Sequence, residues 1–248
     1  MSSSDAQLNE IFQSFQGEGP YVGERQIFIR FAGCNLSCEY CDSPQALAIS
    51  ETYKLGTHPP QNLKNPCSAA KLLEHVTTLE KSKSHIHSVS LTGGEPLLQV
   101  DFLKNFLPEL KKTGWPIYLE TNGVLPKHLG EIIDLVDIVA LDFKLPSSTG
   151  LSPYWAEHKA SLETAYGKEV FVKIVATRNT KVQELDQAAS LIASIDPEIL
   201  TILQPVTPHG PVKHRPTVEE LFAFHNMLKR HLKRVRVIPQ THKLLGLA

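Results

Sequence analysis

The chain of 248 residues is poor in cysteine, has no long apolar run and carries nearly balanced charge. Its four cysteines do not form a disulfide framework, so a reducing cytoplasm is the expected setting. Because no run of about twenty apolar residues occurs, no membrane span is predicted. The start of the chain has no basic region followed by an apolar one, so we expect no secretory signal. A net charge of −1 gives no bulk attraction to nucleic acid or an anionic membrane, and we expect neither as a partner.

Three of the four cysteines are grouped in one short stretch, as Cys34, Cys38 and Cys41. Thiolates at this spacing favour an iron–sulfur cluster or zinc, and a single loop can wrap such a centre. Three thiolates would leave one iron of a 4Fe–4S cluster open to bind another molecule. A structural zinc site would need a fourth Cys or His at recognisable spacing, and this loop has none. We interpret the remaining Cys67 as a bystander rather than a fourth ligand.

Strand-like and helical segments alternate along most of the chain. Apolar runs predict strands at 26–31, 88–91, 117–120, 138–142, 170–176, 200–204 and 235–238. Helical patterns lie at 68–81, 101–112, 126–135, 157–166, 181–194 and 218–233. Capping boxes are predicted to begin at Thr180 and Thr217. The alternation predicts an α/β fold, with parallel strands and outer helices that form a full or partial (β/α) barrel.

We expect a single domain over residues 1–248. Within it, residues 46–66 are rich in glycine and proline, which predicts a long irregular insertion after the cysteine loop.

Polar and glycine-rich residues follow the predicted strands. The carboxyl ends of parallel strands meet at one rim, which is where reactive groups lie in barrel-like sheets. Satisfied polar caps at strand exits are the alternative interpretation. Besides Arg30 and the cysteine loop, the residues at this rim are Thr92, Gly93, Gly94, Glu95, Pro96, Glu120, Thr121, Asn122, Gly123, Asp142, Phe143, Lys144, Lys173, Thr177, Gln204, Pro205, Val206, Thr207, Pro239, Gln240, Thr241 and His242.

The cysteine loop, with Tyr40 before its third cysteine and Gly93 to Pro96 after the next strand, resembles the radical S-adenosylmethionine superfamily. The resemblance implies a partial barrel, a 4Fe–4S cluster on the three cysteines and S-adenosylmethionine at the open iron. It further implies that Glu95 holds the methionine amino group. The other cofactor contacts implied are Tyr40, Gly93, Gly94, Glu120, Asn122, Asp142, Phe143, Lys144, Gln204, Pro205, Val206 and Thr207.

A narrower resemblance, to the 7-carboxy-7-deazaguanine synthase family, extends from Glu10 to the C-terminus. It is carried by residues 15–19, 28–30, 41–43 and 239–245. It implies conversion of 6-carboxy-5,6,7,8-tetrahydropterin to 7-carboxy-7-deazaguanine, by a ring contraction that a 5′-deoxyadenosyl radical starts and that releases ammonia. Ser43, where the family more often has Thr, would bind Mg²⁺. The residues that would hold the pterin are Phe15, Gln16, Gly17, Glu18, Arg30, Thr92, His242 and Ala248.

The chemistry of these residues suits a pterin. Its amide and amino edge matches hydrogen bonds from Gln16 and Glu18, and its carboxylate matches the guanidinium of Arg30. A surface charge is the alternative interpretation of Arg30. The resemblance also implies a homodimer and an electron donor such as flavodoxin or ferredoxin. Two other functions stay open at this point: another radical enzyme, such as a glycyl-radical activase, and a zinc-bound structural module.

Overall fold

The computed structural model describes residues 5–57, 59–80 and 85–247. Its strands are β1 (Asp5–Ala6), β2 (Leu8–Phe15), β3 (Arg25–Phe31), β4 (Thr52–Leu55), β5 (Gln61–Lys64), β6 (Cys67–Ser68), β7 (Ser88–Gly93), β8 (Ile117–Thr121), β9 (Ile138–Asp142), β10 (Glu169–Ala176), β11 (Leu200–Pro205) and β12 (Val235–Val237). Its α-helices are α1 (Ala69–Glu80), α2 (Val100–Lys111), α3 (Pro126–Ile132), α4 (Pro146–Thr149), α5 (Trp155–Ala165), α6 (Val182–Ala193), α7 (Val218–Lys229) and α8 (Thr241–Leu244). None of these helices is long and apolar enough to cross a membrane.

Ten strands form one sheet in the order β12-β11-β10-β9-β8-β7-β3-β2-β4-β5. From β3 to β12 every neighbouring pair is parallel. Helices α1 to α3 and α5 to α7 follow these strands in the chain, as expected for βαβ units. In the described residues no pairing joins β12 to β5, so the sheet is open. The predicted α/β class is confirmed, in the partial form of the barrel.

The two faces of the sheet differ because side chains alternate along each strand. Val139 and Leu141 of β9 belong to the large apolar core, which also contains residues of the helices. Ala140 belongs to a smaller cluster with Phe171 of β10, on the opposite face of the sheet. The same alternation carries Asp142 and Lys173 onto that second face at the strand ends.

The sequence predicted an irregular insertion at residues 46–66, but the structure has two strands within this stretch. It contains β4 and β5, which pair antiparallel, and β4 also pairs with β2 and extends the sheet. Tyr53 lies opposite Leu63 and is buried in the large core. Most of the glycine and proline residues lie in the turn between β4 and β5 or after β5. They therefore mark the ends of the hairpin strands and do not exclude a hairpin.

One of the two predicted capping boxes is confirmed. Thr217 accepts from Glu220 N, and the Glu220 side chain accepts from Thr217 N. The prediction at Thr180 was wrong, since α6 begins after Lys181 and no side chain caps it. Thr180 Oγ1 instead accepts from Thr177 N at 2.8 Å and bonds to the Ser148 hydroxyl at 2.8 Å. The Thr180 hydroxyl therefore bonds within the loop after β10 and does not cap helix α6.

Candidate active site

The candidate site is a cleft at the carboxyl ends of the parallel strands. It is lined by these residues predicted from sequence: Phe15, Gln16, Gly17, Glu18, Arg30, Cys34, Cys38, Tyr40, Cys41, Ser43, Thr92, Gly93, Gly94, Glu120, Asn122, Asp142, Lys144, Gln204, Val206 and His242. Ala248 lies outside the described residues. Four predicted residues within the described ranges do not line the cleft: Glu95, Phe143, Pro205 and Thr207.

Three free thiols reach this cleft from the loop after β3. Cys41 N donates to the Cys38 carbonyl at 3.0 Å, and Leu36 N donates to Cys34 Sγ at 3.4 Å. Burial raises the pKa of Cys34 and Cys38, whereas the nearby Lys144 ammonium acts to lower it. Three soft ligands on one loop beside a cation can hold a metal–sulfur centre and leave one position for another molecule.

The two glycines after β7 pack backbone against backbone. Gly93 has a φ of +129°, and a Cβ there would lie 2.3 Å from the carbonyl oxygen of Phe31. A Cβ on Gly94 would lie 2.0 Å from the carbonyl oxygen of Gly33. Only glycine therefore lets this turn dock onto the start of the cysteine loop.

Glu95 is buried behind that turn. Its carboxylate accepts hydrogen bonds from Leu97 N at 3.1 Å, Thr121 Oγ1 at 2.9 Å and Asn122 N at 2.7 Å. Burial raises its pKa to about 7, and these bonds act in the opposite direction. Both oxygens thus join the turns after β7 and β8 to each other. The cofactor contact that the sequence predicts for Glu95 stays a prediction.

Helix α5 supports the next two turns from behind, through a residue that sequence reasoning missed. His158 Nε2 lies 3.2 Å from the Asn122 carbonyl oxygen and 3.3 Å from the Lys144 backbone nitrogen. Its ring stacks on Phe143, with centroids 4.7 Å apart. Burial lowers the pKa of His158 to about 4, so the ring is neutral at pH 7. Phe143 accordingly packs inside the protein, and no motif in α5 signals the contact.

Two partly buried lysines, Lys144 and Lys173, offset the charge of a buried aspartate in the cleft. Asp142 Oδ2 lies 2.7 Å from Lys144 Nζ and 3.4 Å from Lys173 Nζ. Burial acts to raise the pKa of Asp142, but the two ammonium groups hold it below its usual value. Lys144 also lies over the Tyr40 ring, 5.2 Å from its centroid. The sequence placed Lys173 among the polar residues of this rim but assigned it no contact with cofactor or substrate.

On the other side of the cleft, Glu18 meets Lys173 and Gln240. Its Oε2 pairs with Lys173 Nζ, and its Oε1 accepts from Gln240 Nε2 at 2.7 Å. Burial alone would raise the pKa of Glu18, but these two partners lower it to about 2. Gln240 Nε2 also donates to Asp42 Oδ2 at 2.8 Å. An ionised carboxylate therefore joins segments from near both ends of the chain. Asp42 and Gln240 lay within the sequence motifs, but no role was predicted for them.

The segment around α8 docks on Gly17. Thr241 N donates to the Gly17 carbonyl at 2.9 Å. A Cβ on Gly17 would lie 2.0 Å from His242 Nδ1. The absence of a side chain at this position is what lets His242 reach the cleft.

Glu120 lies with residues that the sequence assigned to the substrate. Its Oε1 accepts from Gln16 Nε2 at 3.0 Å, and its Oε2 accepts from Thr92 Oγ1 at 2.9 Å. Burial raises the pKa of Glu120. The sequence assigned Glu120 to the cofactor, whereas the structure brings it into one network with Gln16 and Thr92.

Arg30 is held at the cleft and is not an open surface charge. Its Nε pairs with Glu10 Oε1 at 2.7 Å, and its side chain is 14% exposed. Its Nη1 donates to Ser43 Oγ at 3.2 Å, and Ser43 Oγ donates to Asp42 Oδ1 at 3.2 Å. One ligand atom each from Glu18, Asp42 and His242 also lies within 4.8 Å of the others. Carboxylate and hydroxyl oxygens are the donors that a hard cation prefers.

Comparisons with known proteins agree with this geometry. The model of the Radical SAM superfamily matches residues 28–192. A 7-carboxy-7-deazaguanine synthase from Geobacter sulfurreducens is 41% identical over 99% of both chains. The synthase from Methanopyrus kandleri is 33% identical over 95% of this chain and 92% of its own.

Solved structures show the same fold. The crystal structure of QueE from Escherichia coli has a TM-score of 0.62, with 21% identity, and covers 94% of this chain and 93% of its own. Streptococcus suis SuiB bound to S-adenosylmethionine has a TM-score of 0.55 and 19% identity, over 82% of this chain and 48% of its own. The cysteine loop, the cleft at the strand ends and the full-length match to the synthases lead to one assignment. The chain belongs to the 7-carboxy-7-deazaguanine synthase family of the radical S-adenosylmethionine superfamily.

Proposed function

We propose that the chain converts 6-carboxy-5,6,7,8-tetrahydropterin to 7-carboxy-7-deazaguanine, with loss of ammonia, on the route to queuosine and other 7-deazapurines. The chain is a radical S-adenosylmethionine lyase, and its full-length relatives carry the name of this synthase. One observation carries the proposal. A single cleft is lined both by three free thiols and by the polar groups of Gln16, Glu18 and Arg30.

The thiols fit a 4Fe–4S cluster with one iron free for S-adenosylmethionine. When bound, the cluster and S-adenosylmethionine supply the 5′-deoxyadenosyl radical that starts the ring contraction. Val175 and Val206 form an apolar cluster with Tyr40, and Cys38 packs against it. These apolar side chains would limit the access of water to Cys38 and to a cluster bound there.

We assign the cofactor to the side of the cleft formed by the turns after β7, β8 and β9. Gly93, Gly94 and Asn122 line this side, and Asn122 Nδ2 donates to Asn35 Oδ1 in the cysteine loop at 2.9 Å. Lys144, held by Asp142, contributes positive charge beside the thiols. Glu95 and His158 do not line the cleft but hydrogen-bond to the backbone of Asn122 and so fix the turn after β8.

We assign the pterin to the opposite side, between the loop after β2 and the segment around α8. Gln16 and Glu18 present amide and carboxylate groups to its amide and amino edge. Arg30 carries the complementary charge for its carboxylate. Lys173 keeps Glu18 ionised and in place, so that its oxygens accept and do not donate.

A Mg²⁺ ion would occupy the corner near Ser43. The hydroxyl of Ser43 and the carboxylate of Asp42 are hard oxygen donors in one place, with Glu18 and His242 adjacent. In this position the cation would bind the substrate carboxylate together with Arg30 and orient it.

A one-electron donor such as flavodoxin or ferredoxin would reduce the cluster. Four free cysteines suit a reducing cytoplasm, which is where we place the enzyme. We further propose that it works as a homodimer, by resemblance to its family.

Anaerobic incubation with carboxytetrahydropterin, S-adenosylmethionine and a reductant tests the function. We expect 7-carboxy-7-deazaguanine and ammonia in equal amounts, from protein that holds about four irons per chain. Cys38→Ala should form no product, because the cluster loses a ligand. Cys67→Ala is the matched control and should keep wild-type turnover, since Cys67 is buried against Tyr53 in the hairpin region.

Two other results of this experiment would point to one of the alternative functions. No deazaguanine from iron-loaded protein would refute this substrate and leave another radical enzyme, such as a glycyl-radical activase. One zinc per chain without iron or sulfide would point to a structural zinc module and would refute the radical chemistry.

A further inference from the structure

Two loops beside the cysteine loop carry exposed cations that none of the site chemistry uses. One loop follows β10 and contains Arg178 and Lys181, and the other follows β11 and contains Lys213 and Arg215. All four residues are exposed. The loops leave adjacent parallel strands at the same rim, and Val206 N donates to the Ala176 carbonyl at 2.9 Å where they diverge.

This basic surface, defined by Arg178, Lys181, Lys213 and Arg215, has no acidic residue to offset it along the chain. No Asp or Glu occurs from 170 to 183 or from 199 to 218, in a chain whose net charge is −1. Across residues 5–57, 59–80 and 85–247, no carboxylate forms an ion pair with any of the four. Other lysines of the chain, such as Lys104 and Lys111, do have carboxylate partners.

The basic surface adjoins the thiols. Val212, one residue before Lys213, packs against the apolar cluster of Tyr40, Val175 and Val206, which Cys38 also contacts. A protein bound to this loop would therefore lie next to the cysteine loop, on the outside of the cleft.

We propose that the basic surface is the docking site of the electron donor, a protein with an acidic surface around its redox centre. The inference rests on the proposed function, because a radical S-adenosylmethionine enzyme must receive one electron per reduction of its cluster. Weak, transient electron-transfer complexes bury little area and depend on complementary charge to bring the partners together. Among the described residues, these exposed cations have no carboxylate partner, so their charge is available to an acidic protein that docks beside Cys38.

The chain contains a second basic patch that serves as an internal control. Lys229 and Arg230 lie at the end of α7, and Lys233 N donates to the Pro197 carbonyl, just before β11 begins. That places the second patch at the amino ends of the strands, on the edge of the sheet away from the cysteine loop. If only the net charge of the protein mattered, charge reversal in either patch would change the KM for the electron donor equally.

The test compares two double variants, Lys213→Glu/Arg215→Glu and Lys229→Glu/Arg230→Glu, which change the net charge by the same amount. Turnover is measured with reduced flavodoxin and, separately, with dithionite, a small chemical reductant that needs no docking site. We expect the first variant to raise the KM for flavodoxin roughly tenfold at low salt, with the difference shrinking as salt is added. The second variant should match the wild type, and dithionite-driven turnover should be unchanged in both.

The outcomes separate the docking site from the function. An unchanged KM for flavodoxin in the first variant, or an equal increase in both variants, would overturn the docking site. Failure of the wild type to form product with dithionite would instead count against the proposed function. Dithionite-driven turnover also shows that each variant is folded and holds its cluster.

Discussion

The two sides of the cleft are built in different ways. The strand wall, formed by residues 93–95, 121–123 and 142–144, has a fully bonded carboxylate at Glu95 and a neutral buried histidine behind it. The loop wall, formed by residues 16–18, 42–43 and 240–243, consists largely of charged and amide groups that face the cleft. Hydrogen bonds from behind therefore fix the backbone of the strand wall, whereas ion pairs and amide hydrogen bonds hold the side chains of the loop wall.

The walls also differ in how the chain assembles them. The bonds of Glu95 to the turn after β8 span 26 and 27 residues, within neighbouring βαβ units. The bond between Gln240 and Glu18 spans 222 residues. Contacts of the first kind follow from sheet topology, while those of the second kind require the complete fold. Substitutions in the two walls should thus have different consequences.

The largest effect is expected from Lys173→Met, which leaves Glu18 and Asp142 without a shared cation. Breaking a buried ion pair by removing one partner costs about 3–5 kcal/mol. We expect a loss of unfolding free energy of that size in anaerobic urea denaturation. Lys111→Met, which removes a half-exposed partner of Asp137, is the control and should cost about 0–1 kcal/mol. Equal losses in the two variants would show that Lys173 of β10 is not the cation that holds Glu18 of the loop wall in place.

A pH-dependent effect is expected from His158 in the strand wall. Its folded-state pKa of about 4 lies below the ordinary value of 6.5, so the unfolded chain takes up the proton first as the pH falls. Its contribution to stability is complete above pH 6.5 and decreases from there down to pH 4, by up to about 3 kcal/mol.

His158→Gln should remove this part of the pH slope in urea denaturation and weaken S-adenosylmethionine binding more than pterin binding. His85→Gln, at an exposed histidine, is the control and should follow the wild type. An unchanged slope in His158→Gln, or equal weakening of both ligands, would show that His158 does not specifically support the strand wall.

Gly17→Ala should have a smaller effect, and it should weaken binding of the pterin and not of S-adenosylmethionine. The new Cβ would displace His242, so the KM for the pterin should rise roughly tenfold, which corresponds to about 1.4 kcal/mol. The KM for S-adenosylmethionine should stay nearly constant, because the strand wall is untouched. Gly130→Ala, in α3 with no neighbour closer than 3.9 Å, is the matched control and should change neither constant. A shared increase in both constants would refute the division into two walls.

The smallest effect is expected from Ser43→Ala, which removes one proposed Mg²⁺ oxygen and the bond from Arg30. The Mg²⁺ concentration for half-maximal turnover should rise severalfold, while binding of S-adenosylmethionine stays unchanged. Ser43→Thr keeps the hydroxyl and should behave as the wild type. A wild-type Mg²⁺ response in Ser43→Ala would show that Ser43 is not a ligand of the cation.

Local pattern was enough to locate most elements and to indicate the rim at which the structure has its cleft. The strand at 138–142 was predicted at its observed ends, because an apolar run between turn signals has few other solutions. The hairpin within 46–66 was missed because its strands are short and its apolar residues few, so the glycines and prolines dominated the pattern. Thr180 was misjudged for a related reason: a hydroxyl binds the nearest good partner in space, and here that partner is not the helix.

By itself the sequence determined the α/β class, the three-thiol loop and the set of polar residues at the strand ends, because spacing and periodicity are local properties. The tertiary structure alone decided how those residues divide between two walls. It turned Glu95 and Phe143 inward, brought Glu120 to Gln16 and Thr92, and placed Lys173 between Glu18 and Asp142. The physical reason is that a buried charge is tolerated where a partner lies beside it, and partners far apart in the chain become neighbours only when the sheet has formed.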